Sequence, residues 1–454
     1  MPEKAGVIVV GAGIAGIATA YHLAVRHHIR RVVLIDEREP LTLTSDKGTQ
    51  AYRNWWPGPD STMLRYMTRS IDILEEIAEE SANGYRLNRR GYVFVTADDE
   101  GVDRLRTTAR QVSAFGMGEL REHTGNAADY RPAPGEGYAG QPTGADLLPG
   151  DAARRAFPGL GPDVKAALHV RRAGWMNAIA LGTWMLKRAI GSGVSFVRDR
   201  VIGIGTEGGR VRSVRLESGS RIETERVAIA AGPGLPELLG MLDLELPLFH
   251  ELHAKLTFRD TRRVIGRNFP FLIWNDPVTV PWTDAERIAM RNSENALRLL
   301  SPFPGGVHIR PIDGPHGDEL YLIWTYDIEP RPYAWPPRFD PTYGELTLRG
   351  SARMMPDMSA YFGRAAEGVV DGGFYCKTRE NRPVVGPLAV EGAYVLGALS
   401  GFGIMASHAG ADLLAAHVTA SGLPEYAKWF LPSRYDDPSY CATVERWGAQ
   451  VGQL

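Results

Sequence analysis

Three glycines near the amino terminus have a spacing that suits the binding of a phosphate group. Gly11, Gly13 and Gly16 form the pattern G-x-G-x-x-G. In this pattern the first glycine permits a tight turn, the second lets the backbone approach a pyrophosphate, and the third lets a following helix pack close to a sheet. Backbone N–H groups would then hold a dinucleotide. Glycine-rich turns also serve packing alone, so the flanking elements decide between the two interpretations.

A strand before the glycines and a helix after them are needed for this chemistry. Residues 7–10 are Val-Ile-Val-Val, an apolar run typical of a buried parallel strand, and 15–25 has the composition of a helix. The start of that helix directs free N–H groups and partial positive charge at phosphates. Residues 32–35 predict a second strand leading to Asp36, about 20 residues past Gly16, where an acid hydrogen-bonds a ribose hydroxyl. The sequence therefore predicts dinucleotide binding, and Asp36 disfavours the 2′-phosphate of NADP.

Composition limits the other possibilities. The 454 residues, of which 44% are hydrophobic, exceed one core and predict two or three connected domains. A net charge of −2 gives no electrostatic case for nucleic acid or an anionic membrane. The two cysteines form no disulfide framework or C-x-x-C site, and no metal site is expected. With no room for a signal peptide and no apolar run of membrane length, we expect a cytoplasmic protein.

Elements further along the chain indicate a second sheet. Residues 178–191 predict a helix, and 129–150, rich in glycine and proline, predicts a loop. Between residues 246 and 328, short strand-like pieces alternate with proline-rich turns. This pattern predicts an antiparallel sheet in a second domain.

A second glycine-rich turn lies close to the other end of the chain. An apolar strand at 393–399 is followed by Gly401, Phe402, Gly403 and Ile404, and then by a predicted helix over 403–420. The start of that helix offers unpaired N–H groups and a dipole to an anionic group. In a flavoprotein this group would be the pyrimidine end of the isoalloxazine ring. The alternative is an ordinary strand–turn–helix connection.

Several segments together resemble one family. They are G-A-G-I-A-G-I-A-T-A-Y-H-L-A from residue 11, I-A-A-G-P at 229–233, T-R-E-N-R-P-V-V-G-P at 378–387 and L-S-G-F-G-I at 399–404. In this order they are similar to the D-amino-acid oxidase superfamily, especially its sarcosine oxidase, glycine oxidase and dimethylglycine dehydrogenase group. The resemblance implies an α/β fold with a Rossmann-type FAD-binding domain and a mostly antiparallel substrate domain. The expected FAD-binding parts are 1–90, 151–240 and 371–454, and the expected substrate-domain parts are 91–150 and 241–370.

The resemblance implies oxidation of the C–N bond of an amine or amino acid. A hydride would pass from carbon to FAD, leaving an imine, and oxygen would reoxidise the flavin with release of peroxide. One alternative is a dehydrogenase that passes electrons to a quinone or an electron-transfer protein. A flavin-binding assembly factor without activity and an FAD monooxygenase are further alternatives, and the oligomeric state is left open.

The same resemblance implies contacts to FAD. The expected cofactor-binding residues are Gly11, Gly13, Ile14, Ala15, Gly16, Asp36, Glu37, Arg38, Val201, Ala231, Gly232, Gly401, Phe402, Gly403 and Ile404. Cys376 lies about three residues from the position of a cysteine that is linked to flavin in the sarcosine oxidases. We therefore expect FAD to be non-covalent, and Cys376 either faces the ring or is a small buried residue.

The substrate pocket is expected to include Arg53, Tyr52, Cys376 and Met405. Arg53 falls where the related enzymes hold a substrate carboxylate, a role that suits the planar fork of guanidinium donors. The alternative is a surface arginine that pairs with Asp46 or Asp60. Met405 replaces a lysine of the sarcosine oxidases, which implies a more apolar substrate.

Other candidate residues come from the second domain. His308 and Arg310 are expected near the flavin, where positive charge would assist the reduction of oxygen, although a lone histidine in a strand is often structural. Lys377 and Glu380 are either near the flavin or an ion pair. Four tryptophans form either an aromatic cage for an amine or part of a core, namely Trp274, Trp282, Trp324 and Trp335.

Overall fold

The computed structural model describes residues 2–312 and 317–447. Strands are frequent throughout these two ranges. They are β1 Val7–Val10, β2 Val32–Asp36, β3 Ala51–Arg53, β4 Tyr92–Thr96, β5 Leu120–Glu122, β6 Ala145–Pro149, β7 Ala166–Val170, β8 Ala173–Trp175, β9 Ser195–Arg198, β10 Val201–Glu207, β11 Arg210–Leu216, β12 Arg221–Glu223, β13 Val227–Ile229, β14 Phe249–Arg259, β15 Phe271–Trp274, β16 Val307–Ile312, β17 Glu319–Trp324, β18 Val369–Lys377, β19 Val384–Pro387 and β20 Ala393–Gly397.

Helices are distributed along the same two ranges. They are α1 Ile14–Tyr21, α2 Thr44–Lys47, α3 Thr62–Glu80, α4 Asp99–Val112, α5 Gly150–Ala156, α6 Ala178–Gly191, α7 Leu235–Gly240, α8 Asp284–Arg291, α9 Tyr343–Ser351, α10 Gly403–Thr419 and α11 Pro438–Trp447. No helix in these described ranges combines the length and the apolar character that crossing a bilayer requires.

A six-stranded sheet positions both glycine turns. Its order is β19-β20-β13-β1-β2-β9, and the strands from β20 to β9 run parallel, whereas β19 is antiparallel to β20. β1 and β20 are separated only by β13, so their carboxyl ends lie at one edge. The four residues of β1 are buried, as expected for a strand that is covered on both faces.

The second large sheet of the molecule has nine strands. Its order is β18-β14-β17-β16-β15-β4-β7-β6-β5, and most neighbouring pairs are antiparallel. The predicted α/β class, with a Rossmann-type domain and a mostly antiparallel domain, is confirmed. β7 belongs to this sheet although it lies in the range 151–240, and β18 begins before residue 371. β7 and β18 belong to this sheet because of their hydrogen bonds to neighbouring strands. The residues of a strand do not show which distant strands it will pair with. Residues 448–454 of the last predicted range lie outside the described residues.

Two helices hold α10 in place. α1 and α3 both pack against α10, and the hydroxyl of Tyr66 in α3 donates to the carbonyl of Ala406 at 2.7 Å. The hydroxyl of Ser70 donates to the carbonyl of Met405 in the same way. These bonds between elements that are distant in the chain set the position of the amino terminus of α10 at the edge of the sheet.

Candidate functional site

A cleft at the carboxyl edge of the six-stranded sheet contains both glycine turns. Its lining combines the first turn and Asp36, the ends of β13 and β20, and the start of α10. Of the expected cofactor-binding residues, it includes Gly11, Gly13, Ile14, Ala15, Asp36, Glu37, Arg38, Val201, Ala231, Gly232, Gly401, Phe402, Gly403 and Ile404. One continuous cleft therefore passes from the first turn to the second.

Gly16, in contrast, does not line the cleft. A Cβ atom at this position would lie 1.7 Å from the carbonyl oxygen of Gly11. Gly11 itself has φ of +105°, and a Cβ there would lie 2.5 Å from the carbonyl oxygen of Ala230. Gly16 therefore serves the close packing of α1 on its own turn, and Gly11 serves the turn and the approach of β13.

Asp36 connects the end of β2 to the glycine turn. Its Oδ2 accepts a hydrogen bond from the N–H of Ala12 at 2.6 Å, and its Oδ1 accepts one from the N–H of Arg38 at 2.8 Å. Burial raises the pKa of the Asp36 carboxyl, and the two backbone donors partly offset this. Each carboxylate oxygen can accept a further bond. The residue can therefore bind ribose hydroxyls at the end of the cleft.

The amino terminus of α10 is open to an anionic group. The helix begins at Gly403, its N-cap residue Phe402 has no side-chain acceptor, and its first turn contains no acidic residue. A Cβ at Gly401 would lie 2.9 Å from the ring of Tyr375, so this turn is packed tightly against β18. The free N–H groups and the dipole of α10 suit the pyrimidine end of a flavin. With the phosphate turn and Asp36, they fit FAD at both of its ends.

A second cavity of about 110 Å³ adjoins the cleft. Five residues line both spaces: Thr49, Tyr375, Ser400, Gly401 and Phe402. The remaining lining residues are Lys47, Arg53, Tyr92, His253, Ala254, Phe271, His308, Ile323, Thr325, Lys377 and Asn381. An apolar cavity of roughly 150 Å³ holds benzene, so this space suits a small substrate.

Arg53 places a buried cation in this cavity. Its guanidinium carbon lies 4.4 Å from the ring centre of Trp56, and its Nε donates to the carbonyl of Trp55 at 3.3 Å. Within the described ranges, no carboxylate forms an ion pair with Arg53. Asp60 pairs instead with Arg382 at 2.7 Å. Asp46, the other alternative partner, pairs with Lys47 at 3.2 Å.

Burial shifts the pKa values of Arg53 and of the neighbouring Tyr92. Burial lowers the pKa of Arg53, an effect that the nearby Tyr92 hydroxyl opposes. Burial also raises the pKa of Tyr92 to about 12, so this hydroxyl stays neutral. Arg53 is a cation because a guanidinium is not deprotonated in proteins, and a carboxylate entering the cavity would find it without a competing acid from the described part of the chain.

His308 lines the second cavity, but it does not carry a positive charge at neutral pH. Burial lowers its pKa to about 4, and the positive charge of Arg53 acts in the same direction. Its Nδ1 lies 2.6 Å from the carbonyl oxygen of Gly306. The expected electrostatic role of His308 in oxygen reduction is therefore not supported by its surroundings.

Arg310 lies outside both cavities. Its Nε and Nη2 donate to the carbonyl of Thr49 at 3.1 and 2.6 Å, and its guanidinium packs on the rings of Trp175 and Tyr321. Thr49 lines both the cleft and the second cavity. Arg310 therefore supports a residue of the site and does not face the substrate space.

Three expected pocket residues have other positions. The buried Tyr52 donates from its hydroxyl to the carbonyl of Asn88 at 2.7 Å and lines neither cavity. Met405 is buried within α10 and also lines neither. Cys376 lines the cofactor cleft and not the second cavity, and burial raises the pKa of its thiol to about 12. Packing of α10, which the sequence does not show, turns Met405 away from the site.

The four tryptophans do not form a cage. Trp274 and Trp324 are buried in the core under the nine-stranded sheet. Trp282 packs against this core and donates to the carbonyl of Leu299, whereas the partly exposed Trp335 lies over Arg38.

Lys377 and Glu380 do not pair with each other. Lys377 pairs with Glu251 at 2.8 Å, and Glu380 pairs with Arg434 at 2.8 Å. Lys377 lines the second cavity, whereas Glu380 is held in a separate buried pair. The two neighbours therefore have different roles.

Sequence reasoning missed the contribution of β14, whereas for Lys377 of β18 it left open a position near the flavin or an ion pair. His253 and Lys377 line the second cavity from these two strands, and Tyr375 lies between the two spaces. A signal was present, because Glu251, His253 and Lys255 alternate with other residues and so share one face of β14.

Comparisons with known proteins identify the family. The DAO family of FAD dependent oxidoreductases matches residues 6–417, and the chain belongs to this family. FAD is accordingly its cofactor, and the chain is an oxidoreductase. A search of the curated proteins found no match to the sequence.

Solved structures share the fold. The chain is 19% identical to an L-proline dehydrogenase from P. horikoshii, with a TM-score of 0.74 over 96% of this chain and 99% of that one. It is 16% identical to a glycine oxidase from Geobacillus kaustophilus, with a TM-score of 0.70 over 93% and 96%. An iminodiacetate oxidase from Chelativorans sp. BNC1 is 19% identical, with a TM-score of 0.67 over 94% and 98%. Similarity at these identities shows a common fold.

Proposed function

We propose that the protein oxidises the C–N bond of a small amine that carries a carboxylate. The observation that carries this proposal is Arg53, a buried guanidinium that lines the second cavity and has no ion pair among the described residues. A planar fork of donors holds a carboxylate through two parallel hydrogen bonds. The residues of the cleft would hold FAD, and the chemistry that this cofactor would supply there is acceptance of a hydride from the carbon next to the nitrogen.

The protein's own residues orient the substrate for this reaction. Arg53 would fix the carboxylate, while Phe271, Ile323 and Phe402 provide apolar surface in the same cavity. Correct orientation of reacting groups supplies a large part of the rate of an enzyme. The small volume of about 110 Å³ favours a substrate with a short side chain.

Oxygen is proposed as the acceptor of electrons, with release of peroxide. Positive charge near the reacting centre stabilises the anion that forms during oxygen reduction, and Arg53 is the cation available after the product leaves. The alternative acceptor is a quinone or an electron-transfer protein. A cytoplasmic location belongs to the same proposal, and the two free cysteines, Cys376 and Cys441, support it.

The test uses purified protein with bound FAD and pairs of amines that differ only in the carboxylate. Glycine, sarcosine and proline are each compared with the matching amine that lacks the acid group. We expect bleaching of the flavin without air by at least one carboxylate-bearing member, and peroxide formation when air is admitted.

Other outcomes distinguish the alternatives. Bleaching together with dye reduction, but without peroxide, would favour a dehydrogenase. Rapid bleaching by NADPH would favour a monooxygenase. A flavin that no amine, hydroxy acid or alcohol reduces would contradict the proposal and favour a flavin-binding assembly factor.

A further inference from the structure

The imidazole ring of His253, in β14, lies beside the expected reaction site. Its imidazole stacks on the ring of Tyr375, with 4.3 Å between the ring centres and 27° between the planes. Both residues line the second cavity, and Tyr375 also lines the cofactor cleft. The imidazole therefore lies in the substrate space, one aromatic ring away from the cleft.

A buried carboxylate sets the tautomer of this histidine. The Nε2 of His253 lies 2.8 Å from Oε2 of Glu251, and Nζ of Lys377 donates to the same oxygen at 2.8 Å. The side chains of Glu251 and Lys377 are each only 3% exposed. Because an ionised carboxylate only accepts hydrogen bonds, Nε2 carries the proton and Nδ1 carries a lone pair. Nδ1 makes no hydrogen bond within the part of the chain that the structure describes.

We propose, on the basis of the proposed function, that Nδ1 of His253 accepts the proton of the substrate ammonium. The N–H bond of the ammonium breaks, an Nδ1–H bond forms, and the electron pair stays on the substrate nitrogen. The product of this step is a neutral amine and an imidazolium. The neutral amine has the lone pair that formation of the C=N bond requires, and the proton later leaves His253 to water.

The surroundings of His253 suit a base that begins and ends the cycle neutral. Burial lowers its pKa, while the negative charge of Glu251 opposes this and the positive charge of Lys377 reinforces it. Glu251 then stabilises the imidazolium when it forms, as the acid of a catalytic triad does. The charged or titratable groups that act on the ring or line the same cavity are Glu251 on its own strand, Tyr375 and Lys377 on β18, Asp327 after β17, Lys47 on α2, Arg53 on β3, Tyr92 on β4 and His308 on β16.

His308, the other histidine of this cavity, is less suited to the role. Its Nδ1 bonds to a backbone carbonyl, and Arg53 is the charged group that acts on it. A positive neighbour disfavours an imidazolium. Of the two histidines among the described residues that line this cavity, His253 is thus the one whose ring nitrogen contacts a carboxylate, that of Glu251.

The experiment measures anaerobic reduction of the flavin by stopped flow as a function of pH. The substrate is a small amine that carries a carboxylate, at a saturating concentration. For the wild type we expect a rate that rises with pH and levels off once His253 is neutral, with a midpoint below its ordinary pKa of about 6.5. For His253→Gln we expect a loss of about 100-fold or more at pH 7. The remaining rate should increase about tenfold per pH unit up to the pKa of the free amine.

Two further variants separate proton transfer from a structural role. His308→Gln should keep the midpoint of the wild type. Lys377→Met removes the cation that competes for Glu251, and it should therefore raise the midpoint by about one pH unit. The flavin absorbance spectrum checks that each variant holds FAD.

Defined results overturn the inference. A His253→Gln variant with the pH profile of the wild type would overturn it, and so would an unchanged midpoint in Lys377→Met. Failure of every amine carboxylate to reduce the wild-type flavin would overturn the proposed function, and this inference with it. Reduction of the wild type with an unaltered profile in His253→Gln would refute the role of His253 alone.

Discussion

Replacing Arg53 by methionine removes the guanidinium and keeps most of the side-chain volume. In the proposed complex Arg53 makes two charge-assisted hydrogen bonds to the substrate carboxylate. Each such bond is worth about 1.5–3 kcal/mol, so the pair contributes about 3–6 kcal/mol. At 1.4 kcal/mol for each factor of ten, kcat/KM should fall by about 10²- to 10⁴-fold. Arg53→Lys keeps the charge but loses the fork, and we expect a smaller loss of about 10- to 100-fold.

The structure also predicts what Arg53→Met does to stability. Arg53 is buried without an ion pair from the described residues, so its removal relieves a desolvation cost. The lost contact with Trp56, whose ring centre lies 4.4 Å away, is worth roughly 0.5–2 kcal/mol. These effects oppose each other, and the free energy of unfolding should change by about 1 kcal/mol or less. Loss of activity would then not result from unfolding.

Steady-state rates with matched amines are the assay. The carboxylate-bearing amine should lose the predicted activity in Arg53→Met, whereas an amine without the carboxylate should lose less than about threefold, since it makes no bond to the guanidinium. Thermal melting with flavin fluorescence supplies the control for folding. Equal losses with both amines would refute the assignment of Arg53 to the carboxylate.

Three further predictions concern the cofactor and the core. Gly16→Ala places a methyl group 1.7 Å from the carbonyl oxygen of Gly11, so the variant should purify with little or no flavin absorbance; full flavin content would contradict the packing role. His408 is fully buried, and burial lowers its pKa to about 3. The unfolded chain therefore binds a proton between about pH 6.5 and 3 that the folded chain does not, and stability falls by about 1.4 kcal/mol per pH unit on acidification. In His408→Leu this term is absent, so urea unfolding at pH 6.5 and 5 should show the variant gaining about 2 kcal/mol relative to the wild type; parallel pH dependences would count against it. Cys376 has a thiol whose pKa is raised to about 12 by burial, which makes it a poor nucleophile. Acid precipitation should therefore release all of the flavin into the supernatant, and Cys376→Ala should hold as much FAD as the wild type; flavin remaining in the pellet would show a covalent link.

The local motifs at both ends of the chain could be interpreted from sequence. A tight phosphate-binding turn between a buried strand and a helix uses glycines at fixed spacing. The spacing of Gly11 and Gly13 therefore predicts this turn from the sequence alone. Gly401, before α10, is required instead by close packing, because a Cβ atom there would lie 2.9 Å from the ring of Tyr375. Helix α6 was predicted with its observed bounds, Ala178–Gly191. In the structure the side chain of Asn177 caps its start.

Elements whose formation depends on distant partners were predicted less well. Strand β6 lies within 129–150, which glycine and proline content marked as a loop, and it forms because it pairs with β7 on one side and β5 on the other. The four tryptophans, for which the sequence left a cage or a core open, are divided between a core and the surface. Composition does not show which face of an element is covered by another sheet.

The amino-acid sequence by itself determined that the chain binds a dinucleotide, because a phosphate-binding turn is a property of a few consecutive residues. The resemblance of four separate segments to one family then supplied FAD and the class of fold. Only the tertiary structure decided the contents of the substrate cavity. Whether Arg53 pairs with Asp60 or faces a ligand depends on Arg382, which is more than 300 residues away in the chain. His253, Glu251 and Lys377 likewise meet through the pairing of two strands. Charges act through space at distances of a few ångströms, and folding alone sets those distances.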